Sequence, residues 1–284
     1  VESAVSSRKK YDQGYQRRPF QLRFPGDAIK DSVLAEGVQR ALHDKASRML
    51  NVGCGMGHTV ALISQRLPDC RVTAVDFSQE ALGAAVCRVP AVDFILADAQ
   101  RLPFRANAFG AAVAQDVTEH LPDDEGFFGE VERVSLPGAS ICLYVPAVLD
   151  GVVFAAEAVV KRLTGYTIDE TVGHVRRYSV AQIAHKLERQ AIGGDDCLYF
   201  SHISMSLLAV LSVWAYHRFI VGKKPASPSG PSRLGAILIY PVLVAFKNAE
   251  ILGWAEYLLF KRLPGAGLFV FGRTQSLIVR SGAD

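Results

Sequence analysis

The sequence predicts an α/β fold built on a parallel, doubly wound sheet, and three observations predict it. Short β-rich runs alternate with stretches of helical periodicity from Arg48 to Val145. The first run leads straight into Gly53, Gly55 and Gly57, ahead of a stretch with the composition to open a helix. Successive later runs end in Asp76, Asp98 and Asp116, which gathers carboxylates at one edge of the expected sheet.

Each element follows from its residues. Ile29, Val33, Leu34, Val38 and Leu42 recur at helical spacing and predict an amphipathic helix over residues 28–42. The run from Arg48 to Val52 is the first strand. The glycines after it carry no Cβ atoms that would hold a ligand away from the backbone, and the helix expected from Val60 begins where α/β folds bind nucleotide-like groups. Arg71 to Val75 is a second strand ended by Asp76, near the ~20-residue offset from Gly53 at which Rossmann-type folds place an acid on a ribose diol. A third strand, Val92 to Leu96, leads to Asp98 and Ala99, and Asp98 is suited to accept from an exocyclic adenine amine. Gly110 to Gln115 is a fourth strand, residues 125–134 a helix, Leu136 to Ala139 a turn, and Ser140 to Val145 a fifth strand. Ser179 is the expected N-cap of a helix from Val180 to Leu187. Cys197 to His202 reads as strand six and Gln275 to Arg280 as strand seven.

Composition narrows the function classes. The 284 residues are 50% apolar, enough for a full core, and 31 basic against 28 acidic residues are too balanced to imply nucleic-acid binding. Five scattered cysteines form no Cys-x-x-Cys pair, so reduced thiols in a cytoplasmic protein are expected, without disulfides or zinc. The first ten residues lack an apolar h-region, so no signal peptide is expected. Residues 8–25 interleave arginines and lysines with Tyr11, Tyr15, Phe20 and Phe24. They read as a cofactor lid, as an arm on anionic lipid, or as a helix packed on the domain.

Between Arg48 and Val145, and more loosely to Ala191, the chain resembles the class I S-adenosylmethionine-dependent methyltransferases, particularly the type 11 and ubiquinone-biosynthesis O-methyltransferase-like members. The glycine turn resembles that family's first motif, Asp76 its ribose acid, Asp98 its adenine-contacting acid, and Leu136-Pro137-Gly138 its turn before strand five. Two positions depart: Asn51 stands where an acid is usual, and Gly110 where an Asp is usual. The resemblance implies S-adenosylmethionine held by Asn51, Gly53, Gly55, Gly57, Asp76, Phe77, Asp98, Ala99 and Asp116, with S-adenosylhomocysteine as product. A dinucleotide fingerprint would place the third glycine one position later.

Glu119, His120 and His174 are the candidate catalytic residues, His120 because its unperturbed pKa lies near neutrality. The alternative is that Glu119 and His120 brace the following helix. A metal on Asp116, Glu119 and His120 is not expected, because no second His follows at ligand spacing. Arg176, Arg177 and Tyr178 resemble a family stretch on the lid over the acceptor and are expected to bind it. Pairing of the arginines with Asp169 and Glu170 is the alternative.

The mean hydropathy of +0.18 arises mainly between strands six and seven, where Ile203 to Tyr216 and Leu234 to Phe246 carry no charge. Neither run reaches the about 20 residues of a membrane span. With flanking Lys and Arg and with Trp214 and Trp254, residues 203–262 suit helices lying in a membrane interface; a helical cap or a homodimer surface is the alternative.

The expected architecture is a Rossmann-like seven-stranded doubly wound sheet with an apolar helical insertion between strands six and seven. Residues 1–47 form an N-terminal lid and helices, 48–202 the cofactor-binding core, 203–266 the insertion and 267–284 the last strand. The expected function is methyl transfer, with oxygen as the methylated atom, to a hydrophobic or lipid-linked small molecule by a cytoplasmic enzyme peripheral on the inner membrane face. The rivals are a soluble natural-product tailoring methyltransferase and a protein that binds the cofactor or its product without transferring methyl.

Overall fold

The structure is a computed structural model that describes residues 27–42, 48–148, 158, 161–162, 165, 167, 169–170, 173–200, 253–263 and 266–275. Residues 1–26 and 43–47 of the expected N-terminal segment and residues 203–252, 264 and 265 of the insertion lie outside them. The elements run α1 (Asp27–Ala41), β1 (Arg48–Val52), α2 (His58–Arg66), β2 (Arg71–Asp76), α3 (Gln79–Arg88), β3 (Asp93–Leu96), β4 (Phe109–Gln115), a 3₁₀ turn (Thr118–His120), α4 (Asp124–Val134), β5 (Ser135–Pro146), α5 (Val180–Arg189), β6 (Ile192–Phe200) and β7 (Gly267–Thr274). They form one seven-stranded sheet in the order β3-β2-β1-β4-β5-β7-β6. All neighbours are parallel except β7, which runs antiparallel to β5 and to β6.

The apolar periodicity of each element explains its face. Ile29, Leu34 and Val38 of α1 are fully buried with Val60 and Ile63 of α2 against Met49, Ala74 and Val113. Phe127, Phe128 and Val131 of α4 and Ile183 and Leu187 of α5 close the other face over Leu50, Val52, Ala112 and Ile141. Each such side chain contributes roughly 1.5–3 kcal/mol, so α1 is held rigidly on the sheet. Helix starts are capped as their sequences dictate: Ser78 accepts from the Ala81 amide, Asp123 from the Gly126 amide, and Ser179 forms a reciprocal capping box with Gln182.

Three boundaries differ from expectation. The strand that closes the sheet is Gly267–Thr274, ahead of the expected Gln275 to Arg280 run, whose residues 276–280 lie outside the described residues. Leu268 and Val270 face one core while Phe269 and Phe271 face the other, the pattern of a strand covered on both sides. Strand β6 begins at Ile192, earlier than Cys197, because pairing with β7 overrides the poor strand propensity of Gly193 and Gly194. The turn expected at Leu136 to Ala139 is an excursion inside β5, where Phe109 pairs with Ser135 and Ala111 with Ser140. Gly138 supplies its positive φ of 80°. Of the insertion, residues 253–260 are helical, with Tyr257 packed edge-on to Phe200 and Phe269.

A buried carboxylate ties three segments together. Asp124 opens α4 and is 4% exposed. It pairs with Arg176 at 2.6 Å and Lys186 at 3.1 Å, and accepts from the Tyr178 hydroxyl at 2.8 Å. Burial raises its pKa, but the hydrogen bonds from Arg176, Tyr178 and Lys186 outweigh that and hold it below the ordinary carboxylate value. Its contribution to stability is therefore present above the unfolded pKa of about 3.9 and is lost as pH falls through the lower folded value. Urea midpoints measured from neutral pH down to about 2 should fall steeply at the acid end for the native chain. Asp124→Asn should lower the neutral midpoint and flatten that acid slope.

Candidate functional site

The site is built where β1, β2, β3 and β4 end. Gly53, Gly55 and Gly57 adopt φ of 69°, 52° and 78°, conformations that side chains strain to reach. The turn also runs close to β4, since a Cβ on Gly53 would overlap the Val117 side chain. Helix α2 starts behind Gly57 with no side-chain cap, so its first amides face the turn.

Asp76 is 6% exposed and does more than end β2. Its Oδ2 accepts from the Gly55 amide at 2.7 Å and its Oδ1 from the Ser78 amide at 2.8 Å, so one carboxylate fixes the glycine turn and the start of α3. Phe77 follows it, half-buried. After β3, Asp98 Oδ1 accepts from the Gln100 amide at 2.9 Å, Oδ2 has no partner among the described residues, and Ala99 is buried beside it. Asn51 is buried on β1.

Asp116 ends β4 with φ 52°. Its Oδ2 receives the Lys30 ammonium at 2.7 Å, while Lys30 also pairs with Asp27 at 2.9 Å and lies 4.8 Å over the Tyr144 ring. Burial lowers the Lys30 pKa, but Asp116, Asp27 and Tyr144 raise it further, so the net shift is well upward. Lys30 was not among the expected site residues. Its only sequence signal was a cation on the polar side of an amphipathic helix, which says nothing about where that helix docks.

Beyond Asp116, the 3₁₀ turn buries Glu119 completely, and neither of its carboxylate oxygens has a hydrogen-bond partner among the described residues. Burial first, then the Asp116 charge, push its pKa well above the ordinary value. The Glu119 carbonyl receives the Val175 amide at 2.8 Å, which draws in residues 173–178. His174 thereby reaches Glu119, with Nε2 3.7 Å from Oε1, and its ring lies 4.9 Å from that of His120. Asp169 holds His174 Nδ1 at 2.8 Å and Arg177 Nε at 2.7 Å. All three expected catalytic residues therefore meet. No spacing rule could have joined His174 to the pair, because the contact depends on a return of the chain.

The residues expected to bind the acceptor, Arg176, Arg177 and Tyr178, all make contacts within the protein, and Arg177 makes the pairing with Asp169 that was the alternative. Arg176 is engaged by Asp124 and the Pro122 carbonyl, Arg177 by Asp169 and the Ala147 carbonyl, and Tyr178 is 2% exposed. Their forks brace the segment that carries His174.

Residues 50–143 match the methyltransferase domain family. The chain is 30% identical over 134 residues to cycloartenol-C-24-methyltransferase of Arabidopsis thaliana, covering 44% of this chain and 40% of that protein. It is 35% identical over 107 residues to trans-aconitate 2-methyltransferase of Azoarcus sp., covering 36% and 40%. The chain thus spans about 40% of the length of these relatives. Among solved structures, Burkholderia thailandensis 1,6-didemethyltoxoflavin-N1-methyltransferase, with bound 1,6-didemethyltoxoflavin and S-adenosylhomocysteine, superposes with TM-score 0.54 at 14% identity, covering 97% of this chain and 90% of that one. That likeness is one of fold.

The residues present fit an S-adenosyl cofactor. Three Cβ-free positions, the start of α2 without a side-chain cap, and the strand-end acids Asp76 and Asp98 supply surfaces complementary to it. In calorimetric titration with S-adenosylmethionine, Asp76→Ala should abolish measurable binding. Because the same carboxylate holds two backbone amides, the cofactor-free variant should also melt at lower temperature, an outcome a purely ligand-contacting acid would not produce. Gly53→Ala should lose binding too, and Val117→Ala in the same chain should restore only part of it, since the positive φ persists.

Proposed function

Because residues 50–143 form a class I S-adenosylmethionine-dependent methyltransferase domain, we propose that the chain methylates an oxygen of a hydrophobic, membrane-borne small molecule. The observation that carries this reading is the meeting of Glu119, His120 and His174 immediately beyond β4, beside the glycine turn. S-adenosylmethionine supplies an already activated methyl group when bound, so alignment accounts for most of the rate. What an alcohol or phenol acceptor additionally requires is loss of its proton, and basic atoms at the acceptor side meet that need. An amine that arrives in its neutral form already presents a free lone pair, so the basic atoms are matched best to a hydroxyl acceptor.

Gly53, Gly55, Gly57, Asp76, Asp98 and the start of α2 hold the cofactor in this reading. Asp116, neutralised by Lys30, walls the crevice next to the acceptor. Asp169 keeps His174 in one orientation, and Arg177 keeps Asp169 in place. The named relatives act on acceptors as different as cycloartenol and trans-aconitate, so the acceptor class is argued from this chain's own surface. Leu258, Leu259 and Leu263 are 61%, 74% and 55% exposed beside Lys261 and Arg262, a composition suited to the membrane interface. It continues the apolar, Lys- and Arg-flanked character of residues 203–246. Among the described residues no helix is long and apolar enough to cross a membrane, so contact would be peripheral.

Incubation with methyl-labelled S-adenosylmethionine and a membrane extract tests this. Label should enter an organic-phase product whose methyl carbon is bonded to oxygen by NMR, and His174→Ala should reduce turnover about 10²–10⁴-fold with cofactor affinity unchanged. Transfer confined to water-soluble acceptors would overturn the membrane-borne substrate. Binding without any transfer would overturn the enzyme reading.

A further inference from the structure

We propose that Glu119, His120 and His174 form a site for one divalent transition-metal cation, zinc being the natural occupant, whose open position binds the acceptor oxygen. This deepens the reading above and rests on it for the role of the bound oxygen, though not for the cation itself.

The ligand atoms of the three residues lie within 4.8 Å of one another. The polarity of their partners decides what belongs between them. His174 Nδ1 faces the Asp169 carboxylate at 2.8 Å and His120 Nδ1 faces the Gly173 carbonyl at 3.0 Å. Both partners accept, so in each neutral ring Nδ1 carries the proton and Nε2 carries the lone pair. Glu119, fully buried, contributes two oxygens with no donor among the described residues. Basic atoms thus converge where an acidic group should stand. A proton shared between His174 Nε2 and Glu119 Oε1 fits poorly, because 3.7 Å exceeds hydrogen-bond range. The same separation approaches the ~3.4 Å between two ligand atoms on one tetrahedral zinc, given zinc–ligand bonds of about 2.0–2.1 Å.

The surroundings are those of a ligated histidine. A carboxylate orients His174 from behind, and Arg177 fixes that carboxylate, an arrangement that sets the tautomer and strengthens the donor nitrogen. Two imidazoles and one carboxylate suit zinc and its divalent first-row neighbours and leave at least one position open. An alcohol or phenol occupying that position would release its proton to solvent water more readily, and the resulting alkoxide or phenolate would take the methyl group from the sulfonium, with S-adenosylhomocysteine leaving as the neutral thioether. The first ligand pair lies in the short stretch after β4 and the third returns from beyond β5, so the site exists only in the folded chain.

Titration of the chelator-treated chain with Co²⁺ alone, followed by visible absorption, tests the site without any methyl acceptor. The native chain should saturate at one equivalent with the intense bands of a low-coordinate ion, and Zn²⁺ should displace them. Glu119→Gln and His174→Ala should each lose this uptake, Asp169→Asn should weaken it about 10–100-fold, and exposed His185→Ala should leave it unchanged. His120→Ala, at a half-buried position, keeps the test valid should Glu119→Gln fail to fold, which circular dichroism reports. Co²⁺ uptake by the native chain no tighter than by Glu119→Gln, His174→Ala or His120→Ala would overturn the site. Methyl transfer that persists without metal uptake would sink this inference alone. Metal uptake without transfer would sink only the proposed reaction.

Discussion

The carboxylate of Asp76 is the joint on which the crevice depends. It is nearly buried, and its two oxygens accept from the amides of Gly55 and Ser78. Two charge-assisted hydrogen bonds to backbone set the path of the glycine turn and the start of α3 together. The turn can then lie tight against Val117, which places the stretch after β4 over the cofactor cradle. A residue commonly read as a ligand contact is here first a structural clamp, and ligand binding reuses the geometry that the clamp imposes.

The junction of Glu119, His120 and His174 is assembled in the opposite manner, by a chain segment that returns to it. Residues 173–178 are drawn in by the Glu119 carbonyl, by Asp124 beneath Tyr178 and Arg176, and by Asp169 between His174 and Arg177. The cationic residues that look suited to gripping an acceptor hold the segment in place. The buried Glu119 carboxylate beside them has no hydrogen-bond partner among the described residues, with His174 Nε2 at 3.7 Å.

Much of the sheet was legible because its signals are local. A β-rich run, a glycine turn and an acid at strand end can be read from adjacent residues, and β1 to β4 stand within a residue or so of expectation. Strands β6 and β7 were less legible, since Gly193, Gly194, Gly267 and Gly272 weaken strand propensity and only mutual pairing compensates. The positions of Asp76, Asp98 and the glycines at the strand ends could be read from their spacing. The contact between Lys30 and Asp116 could not, because it spans helix docking that no local pattern encodes.

The sequence by itself determined the fold class, the glycine turn after the first strand and the residue types available for chemistry, because short-range periodicity and Cβ-free turns act on neighbouring residues. Tertiary structure alone decided that His174 joins Glu119 and His120, that Arg176, Arg177 and Tyr178 brace that junction, and that the Glu119 carboxylate is buried with no hydrogen-bond partner among the described residues. The physical reason is that desolvation and charge pairing depend on distance in space. A carboxylate that looks solvated in the chain becomes a buried group whose protonated form is favoured once the fold closes over it.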